Sequence, residues 1–216
     1  MRSDNYGTCR AKLSSGDGKT LASSAYDPLL KLLGADKTKR LLIEQADLKI
    51  GFRVLDIGCG TGSLAVLIKR LHPEVEVIGV DPDPAALLIS KRKANRAGLS
   101  IEFDRGFSDH LSYPDASFDR VFSSFMFHHL EPSERAATLR EIGRVLKSGG
   151  SLHLLDFAPR DDKGHRHHRS PHEDSRFEGR VVDLMSGAGF VDAKEVAKGK
   201  IFFGPISYYR AEREAG

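Results

Sequence analysis

Two cysteines in 216 residues, no long apolar run and almost no excess of charge of either sign exclude several classes of protein at once. Cys9 and Cys59 are too few and too differently placed for a disulfide framework, so a reducing compartment is the simpler setting. No apolar stretch approaches the roughly 20 residues of a membrane-spanning helix, so no stable membrane insertion is expected. The polar, charged residues through Lys19 also lack the apolar core of a secretory signal, and a cytoplasmic location is expected. Against 33 basic and 30 acidic side chains, a formal charge of +3 makes no case for a nucleic-acid partner. What the chain does have is 40% hydrophobic content, enough for the core of one domain, and no break that divides it in two.

The most informative segment is VLDIGCGTGSLA, from Val54 to Ala65. Val54, Leu55 and Ile57 suit a strand buried on both faces, and Gly58, Gly60 and Gly62 remove side chains where a backbone must approach a ligand. Leu64, Val66, Leu67 and Ile68 then give a helix an apolar face, so that the free N–H groups of its first turn point toward whatever binds there. A dinucleotide fingerprint would read G-x-G-x-x-G, but Ser63 stands at the last position and the glycines read G-x-G-x-G. A second apolar strand ends in Asp81, about twenty residues on, where a carboxylate can accept from both hydroxyls of a ribose.

Hydrophobic patterning places strands at Arg53–Ile57, Val75–Val80, Ile101–Arg105, Arg120–Ser124 and Ser151–Asp156. Helices alternate with them at Gly62–Leu71, Pro84–Ala97 and Ser133–Leu146, preceded by helical patterns at Pro28–Leu33 and Asp36–Asp47. A helix around Phe177–Gly187 and strands Val191–Ala197 and Ile201–Tyr208 close the chain, with Lys198-Gly199-Lys200 as the expected turn between them. This alternation is that of a doubly wound α/β fold with a mostly parallel sheet. Residues 1–24 read as a disordered tail, and 25–216 as a single domain with N-terminal helices in 25–50 and a His-rich linker or lid in 158–176.

The glycine turn with Asp56 two residues before it resembles the first motif of the Rossmann-like S-adenosylmethionine-dependent methyltransferases. The resemblance continues through Asp81, through the segment Phe103–Leu130 and through REIGRVLKSGGSLHLLDF, from Arg140 to Phe157, so four motifs stand in the family's order. Overall the chain is similar to the small-molecule enzymes of ubiquinone and menaquinone biosynthesis. The resemblance implies a Rossmann-like, seven-stranded, mostly parallel sheet whose last strands form an antiparallel hairpin at the edge.

It also implies roles. Gly58 and Gly60 would let the backbone lie against S-adenosylmethionine, Asp56 would orient its methionine portion directly or through water, and Asp81 would hold its ribose. Pro82 can lay an apolar face on adenine, and Gly106 and Ser123 fall with these residues at or just beyond strand ends. Relatives commonly have an acid after the third-strand glycine, but here Gly106 is followed by Phe107. Either Phe107 covers the adenine as a flat wall, or Ser108 or Asp109 supplies the polar contact. Ser148 stands where the family usually has proline before its paired glycines. Tyr26 resembles the tyrosine that closes over the methionine end, and is equally well read as a packed aromatic at a helix start.

His128 and His129, just past the fourth strand, are the candidates for a general base if the acceptor must lose a proton. The alternative is that one of them caps or packs the following helix. Phe125, Met126 and Phe127 read as core or pocket wall. HRHHRSPH, from His165 to His172, has no cysteine partners and no ordered spacing, so it reads as a solvated loop rather than a metal site, and no metal is expected.

The expected function is methyl transfer to a small-molecule acceptor, with the acceptor and the methylated atom open. A non-catalytic S-adenosylmethionine-binding regulatory or assembly module is the alternative, and a nicotinamide oxidoreductase is disfavoured by Ser63. Base methylation of nucleic acid is disfavoured because Ser123-Ser124-Phe125-Met126 stands where an Asn/Asp-Pro-Pro-aromatic signature would. Arsenite methylation is disfavoured by the shortage of thiols. The sequence leaves the oligomeric state unknown.

Overall fold

A computed structural model describes residues 35–158 and 177–216. The expected tail, the helical pattern at Pro28–Leu33, Tyr26 and the His-rich run lie outside the described residues. In chain order the elements are α1 (Ala35–Glu44), β1 (Arg53–Ile57), α2 (Ser63–Leu71), β2 (Glu76–Asp81), α3 (Pro84–Arg96), β3 (Glu102–Arg105) and β4 (Phe118–Ser124). A 3-10 turn (Phe127–His129) follows, then α4 (Pro132–Val145), β5 (Leu146–Phe157), α5 (Phe177–Gly187), β6 (Phe190–Ile201) and β7 (Gly204–Arg213).

The strands form one seven-stranded sheet in the order β3-β2-β1-β4-β5-β7-β6. Pairing is parallel from β3 across to β5, and β7 then runs antiparallel between β5 and β6. This is the expected Rossmann-like α/β sheet with an antiparallel hairpin at one edge. Because β2 lies on one side of β1 and β4 on the other, their connections part at the C-terminal ends of β1 and β4. A crevice opens there in folds of this kind.

Alternation along the strands sorts the core into two layers. Val54, Val77, Phe122, Leu155 and Tyr208 pack with Leu42 and Ile43 of α1 and with Leu64, Ala65 and Ile68 of α2. Leu55, Ile57, Val121, Leu154 and Tyr209 face the other way, toward Leu139 and Ile142 of α4 and Val181 and Met185 of α5. Both helices after the site start abruptly for sequence reasons. Asp83 caps α3 by accepting from the Ala85 amide at 2.8 Å, and Glu134 reaches back to the Glu131 amide at 2.9 Å at the start of α4. Pro84 and Pro132 occupy first-turn positions, where no amide donor is lost.

Most expected boundaries hold within a residue or two, and the larger departures have local causes. β4 begins at Phe118, a fully buried residue paired with Leu146, rather than at Arg120. β5 begins at Leu146 directly after α4, and the paired glycines lie inside it as an irregularity between the Phe118–Leu146 and Arg120–Ser151 pairs. Gly149 takes φ 70° there, so the expected flexible turn is a bulge within a strand. Lys198-Gly199-Lys200 is not the hairpin turn: these residues pair with Ser207, Ile206 and Pro205, and the chain reverses at Phe202-Phe203. Pairing runs on because Gly199 has no side chain to press on Ile206, whose Cγ1 would lie 3.2 Å from an added Cβ.

Candidate functional site

The glycine turn leaves β1 and enters α2. Gly58 (φ 66°) and Gly60 (φ 51°) both take left-handed backbone, but for different reasons. A Cβ on Gly58 would come within 2.3 Å of Met126 Cγ, so this glycine is imposed by packing against the segment after β4. A Cβ on Gly60 would meet nothing within 4 Å, so here the backbone borders open space. The amides of Gly58 and Cys59 both donate to the Val80 carbonyl, at 2.8 and 3.1 Å, which ties the turn to the end of β2.

Asp81 stands at that end. Its Oδ2 accepts from the Gly60 amide at 2.8 Å and its Oδ1 from the Asp83 amide at 2.9 Å. Burial raises its pKa above the usual carboxylate value, against the lowering effect of those two amides. Pro82 is exposed beside it. The Gly106 amide donates to the Asp81 carbonyl at 3.2 Å, which brings the loop after β3 to the same place. In that loop Phe107 bridges to His110, while the Ser108 hydroxyl is engaged with Thr138 of α4 at 2.8 Å.

Asp56 is buried at the C-terminal end of β1. Burial pushes its carboxyl up to about 7, with Lys39 and the Ala65 amide acting in the opposite direction. Its Oδ2 has no hydrogen-bond partner, and neither does the buried hydroxyl of Ser123 at the end of β4. The two face opposite sides of the sheet, because Ser123 registers with Ile57 and not with Asp56. The unpartnered Asp56 oxygen, at a strand end close to a glycine that borders open space, fits a polar ligand laid across the turn; Ser123 lies on the other face.

Beyond β4 the chain turns sharply: Phe125 has φ 55°, a left-handed value that strains a bulky residue, and its amide donates to Leu155 at 2.8 Å. This delivers the 3-10 turn to the end of β5, where Asp156 is fully buried. Asp156 Oδ2 accepts from the His128 amide at 2.9 Å, and Oδ1 lies 2.6 Å from His128 Nδ1 and 2.8 Å from the Phe157 amide. This contact suits the tautomer in which Nδ1 donates to the carboxylate, and it turns Nε2 away from Asp156. His128 is also held edge-on to Phe157, with ring centroids 5.1 Å apart, and the exposed His129 ring lies tilted against it at 3.9 Å. Phe125 and Phe157 add an aromatic wall, 5.2 Å between centroids. Met126 and Phe127 are the wall and core residues expected, Phe127 being fully buried.

The structure thus brings Asp56, Gly58, Gly60, Asp81, Gly106 and His128 to one edge of the sheet. Sequence reasoning missed Asp156. The available signal was a lone carboxylate at the end of the apolar run Leu152–Phe157, a position that a buried strand does not give to an acid without a partner. Among the described residues no group of three or more His, Cys, Asp or Glu side chains is arranged to hold a metal ion.

A parallel sheet with its ligand crevice at β1 and β4, a glycine turn and an acid at the end of β2 defines a nucleotide-cofactor fold of the Rossmann-like kind. Residues 54–150 match the family described as a methyltransferase domain. The chain is 40% identical over 137 residues to a demethylmenaquinone methyltransferase of Thermus thermophilus, a match covering 62% of this chain and 61% of that protein. It is 36% identical over 149 residues to the ubiquinone/menaquinone biosynthesis C-methyltransferase UbiE of Xanthomonas oryzae, covering 66% and 58%. Such matches therefore span about three-fifths of the length of these curated relatives. Among solved structures, a SAM-dependent methyltransferase from Aquifex aeolicus superposes with a TM-score of 0.66 at 24% identity, over 81% of this chain and 89% of that one. The fold is the one this solved structure shares, a Rossmann-like α/β sheet closed by antiparallel C-terminal strands.

Proposed function

We propose that this chain transfers a methyl group from S-adenosylmethionine to a small-molecule acceptor, releasing S-adenosylhomocysteine. The observation that carries the reading is that the open glycine turn, Asp81 and the His128–Asp156 pair share the C-terminal edge of the parallel strands. Gly60 and its neighbours would hold the cofactor against bare backbone, and Asp81 would accept from its ribose hydroxyls while its present amide donors keep the carboxylate in place. Asp56, with an unpartnered oxygen, would take a donor from the methionine portion. Pro82, Phe107 and Ser108 would border adenine.

When bound, the cofactor supplies an electrophilic methyl group on a positively charged sulfur. The protein's share is to position the acceptor in line and to exclude water, which the Phe125–Phe157 wall favours. For an acceptor that must lose a proton, His128 would take it at Nε2, and Asp156 would stabilise the resulting imidazolium across the 2.6 Å contact. The named relatives make a demethylated quinol the first acceptor to try, and such a hydroxylated ring has a proton for His128 to remove.

The test is transfer of label from methyl-labelled S-adenosylmethionine to demethylmenaquinol and to simple phenols, alongside calorimetric titration with S-adenosylhomocysteine and NAD. Transfer with micromolar S-adenosylhomocysteine binding is the expected result. Binding without turnover on any acceptor would favour a regulatory or assembly module, and NAD binding without a response to S-adenosylhomocysteine would defeat the assignment.

A further inference from the structure

The hairpin of β6 and β7 ends in a feature that neither folding nor cofactor binding requires. Ile201 pairs with Gly204, so the loop consists of Phe202 and Phe203 alone. Two-residue reversals favour Asn, Asp and Gly, which tolerate the backbone and hydrate well. Here two large aromatic side chains occupy the tip, 78% and 40% exposed, with rings edge to face at 5.4 Å. Gly204 (φ 146°) supplies the backbone freedom immediately after them. The approach along β6 carries exposed Lys194, Lys198 and Lys200 with exposed Val196 among them; Lys194 pairs with Asp192 at 2.7 Å and Lys198 lies 3.5 Å from Glu195, which leaves a net positive charge nearest the tip at Lys200. Lysines on an edge strand also block unwanted strand pairing, but that role does not call for phenylalanines at the tip.

The position of the tip matters as much as its composition. Ile206 registers with Phe157, and the Ala158 amide donates to the Pro205 carbonyl at 3.0 Å, so the hairpin overruns the end of β5 at the residues next to Asp156. At about 3.3 Å per residue, the four residues from Ile206 to Phe202 carry the tip about 13 Å beyond the sheet edge. It projects from the edge of the molecule that carries the candidate site.

We propose that the Phe202–Phe203 tip, with Lys198 and Lys200, is a docking surface for an anionic lipid bilayer. The aromatic rings enter the interfacial layer and the lysines face the acidic headgroups. Charge complementarity and exposed aromatic area favour this occupant over a second copy of the chain, whose matching tip would present the same positive charge. Docked in this way, the molecule sets the sheet edge that carries the candidate site close to the bilayer surface. The surface does not rest on the methyl-transfer reading.

Co-sedimentation of the full chain with vesicles of mixed phosphatidylglycerol and phosphatidylcholine tests the surface without any acceptor. Binding is expected to weaken with added salt. Phe202→Ser and the double change Lys198→Glu, Lys200→Glu are each expected to lower the partition coefficient about 10-fold or more, while S-adenosylhomocysteine affinity is unchanged. An unchanged thermal unfolding midpoint shows the variants are folded and keeps the outcome separate from the fate of the methyltransferase assignment. Failure of the unaltered chain to bind these vesicles at low salt would overturn the proposal. So would binding that survives both variants, or a concentration-dependent dimer that Phe202→Ser abolishes in the absence of lipid.

Discussion

Asp156 and His128 behave as a unit because each hydrogen bond between them restricts the other. A carboxylate that is fully buried and accepts from two amides and a ring nitrogen has little freedom to move, so the imidazole it holds keeps one tautomer and one orientation. Replacing Asp156 with Asn, which keeps the shape, is expected to reduce turnover on a proton-losing acceptor on the order of 100-fold, and His128→Gln by at least as much. S-Adenosylhomocysteine affinity should be unaffected, and steady-state rates beside calorimetry would check both statements. Asp81 predicts the opposite pattern. Asp81→Ala removes a charge-assisted acceptor worth about 1.5–3 kcal/mol, so cofactor affinity should fall on the order of 10-fold or more in the same titration. Unchanged affinity would mean that the ribose is held elsewhere.

At the scale of elements, the glycine turn separates stability from binding. Gly58→Ala should destabilise the free protein by several kcal/mol, since the new methyl group would overlap Met126 as well as strain the backbone, roughly the upper range for an overpacked site. Gly60→Ala has only the left-handed backbone to oppose it, about 1–2 kcal/mol, yet it fills the space beside which a ligand would lie. Thermal unfolding should rank Gly58→Ala as the more damaging, whereas loss of S-adenosylhomocysteine binding should be severe in both. The turn and the strands around it were legible from sequence because buried parallel strands are continuous apolar runs, and because glycine spacing reports a local backbone need. What was not legible depends on contacts distant in sequence. Asp156 gains its meaning from a histidine 28 residues earlier, and Gly199 looked like a turn because its extended pairing with Ile206 is set by the partner strand.

For the molecule as a whole, two buried titratable groups set opposing responses to pH. Burial raises Asp56 to about 7, so its protonated form is favoured by folding and its contribution to stability declines as pH rises from about 4 through about 7. Asp81, also raised, acts with the same sign. His153 is stacked on Phe122, and burial, with Arg120 and Arg210 nearby, lowers it to about 3. The folded state therefore keeps it neutral, and its contribution is complete above about 6.5 and is lost as pH falls toward 3. Between about pH 4 and 6.5 the two slopes offset one another. His153→Gln should expose a stability that falls with rising pH across this window, and Asp56→Asn one that rises, both read from denaturant midpoints at several pH values. A last consequence concerns Met126, whose side chain backs Gly58 and whose carbonyl receives the His129 amide at 2.9 Å. It is a party wall: its side chain braces the glycine turn, and its backbone braces the turn that carries His128 and His129. On the proposed methyl-transfer reading, trimming this side chain to admit a bulkier acceptor would loosen the glycine turn as well, so new acceptor specificity is better sought at Phe125 or Phe157.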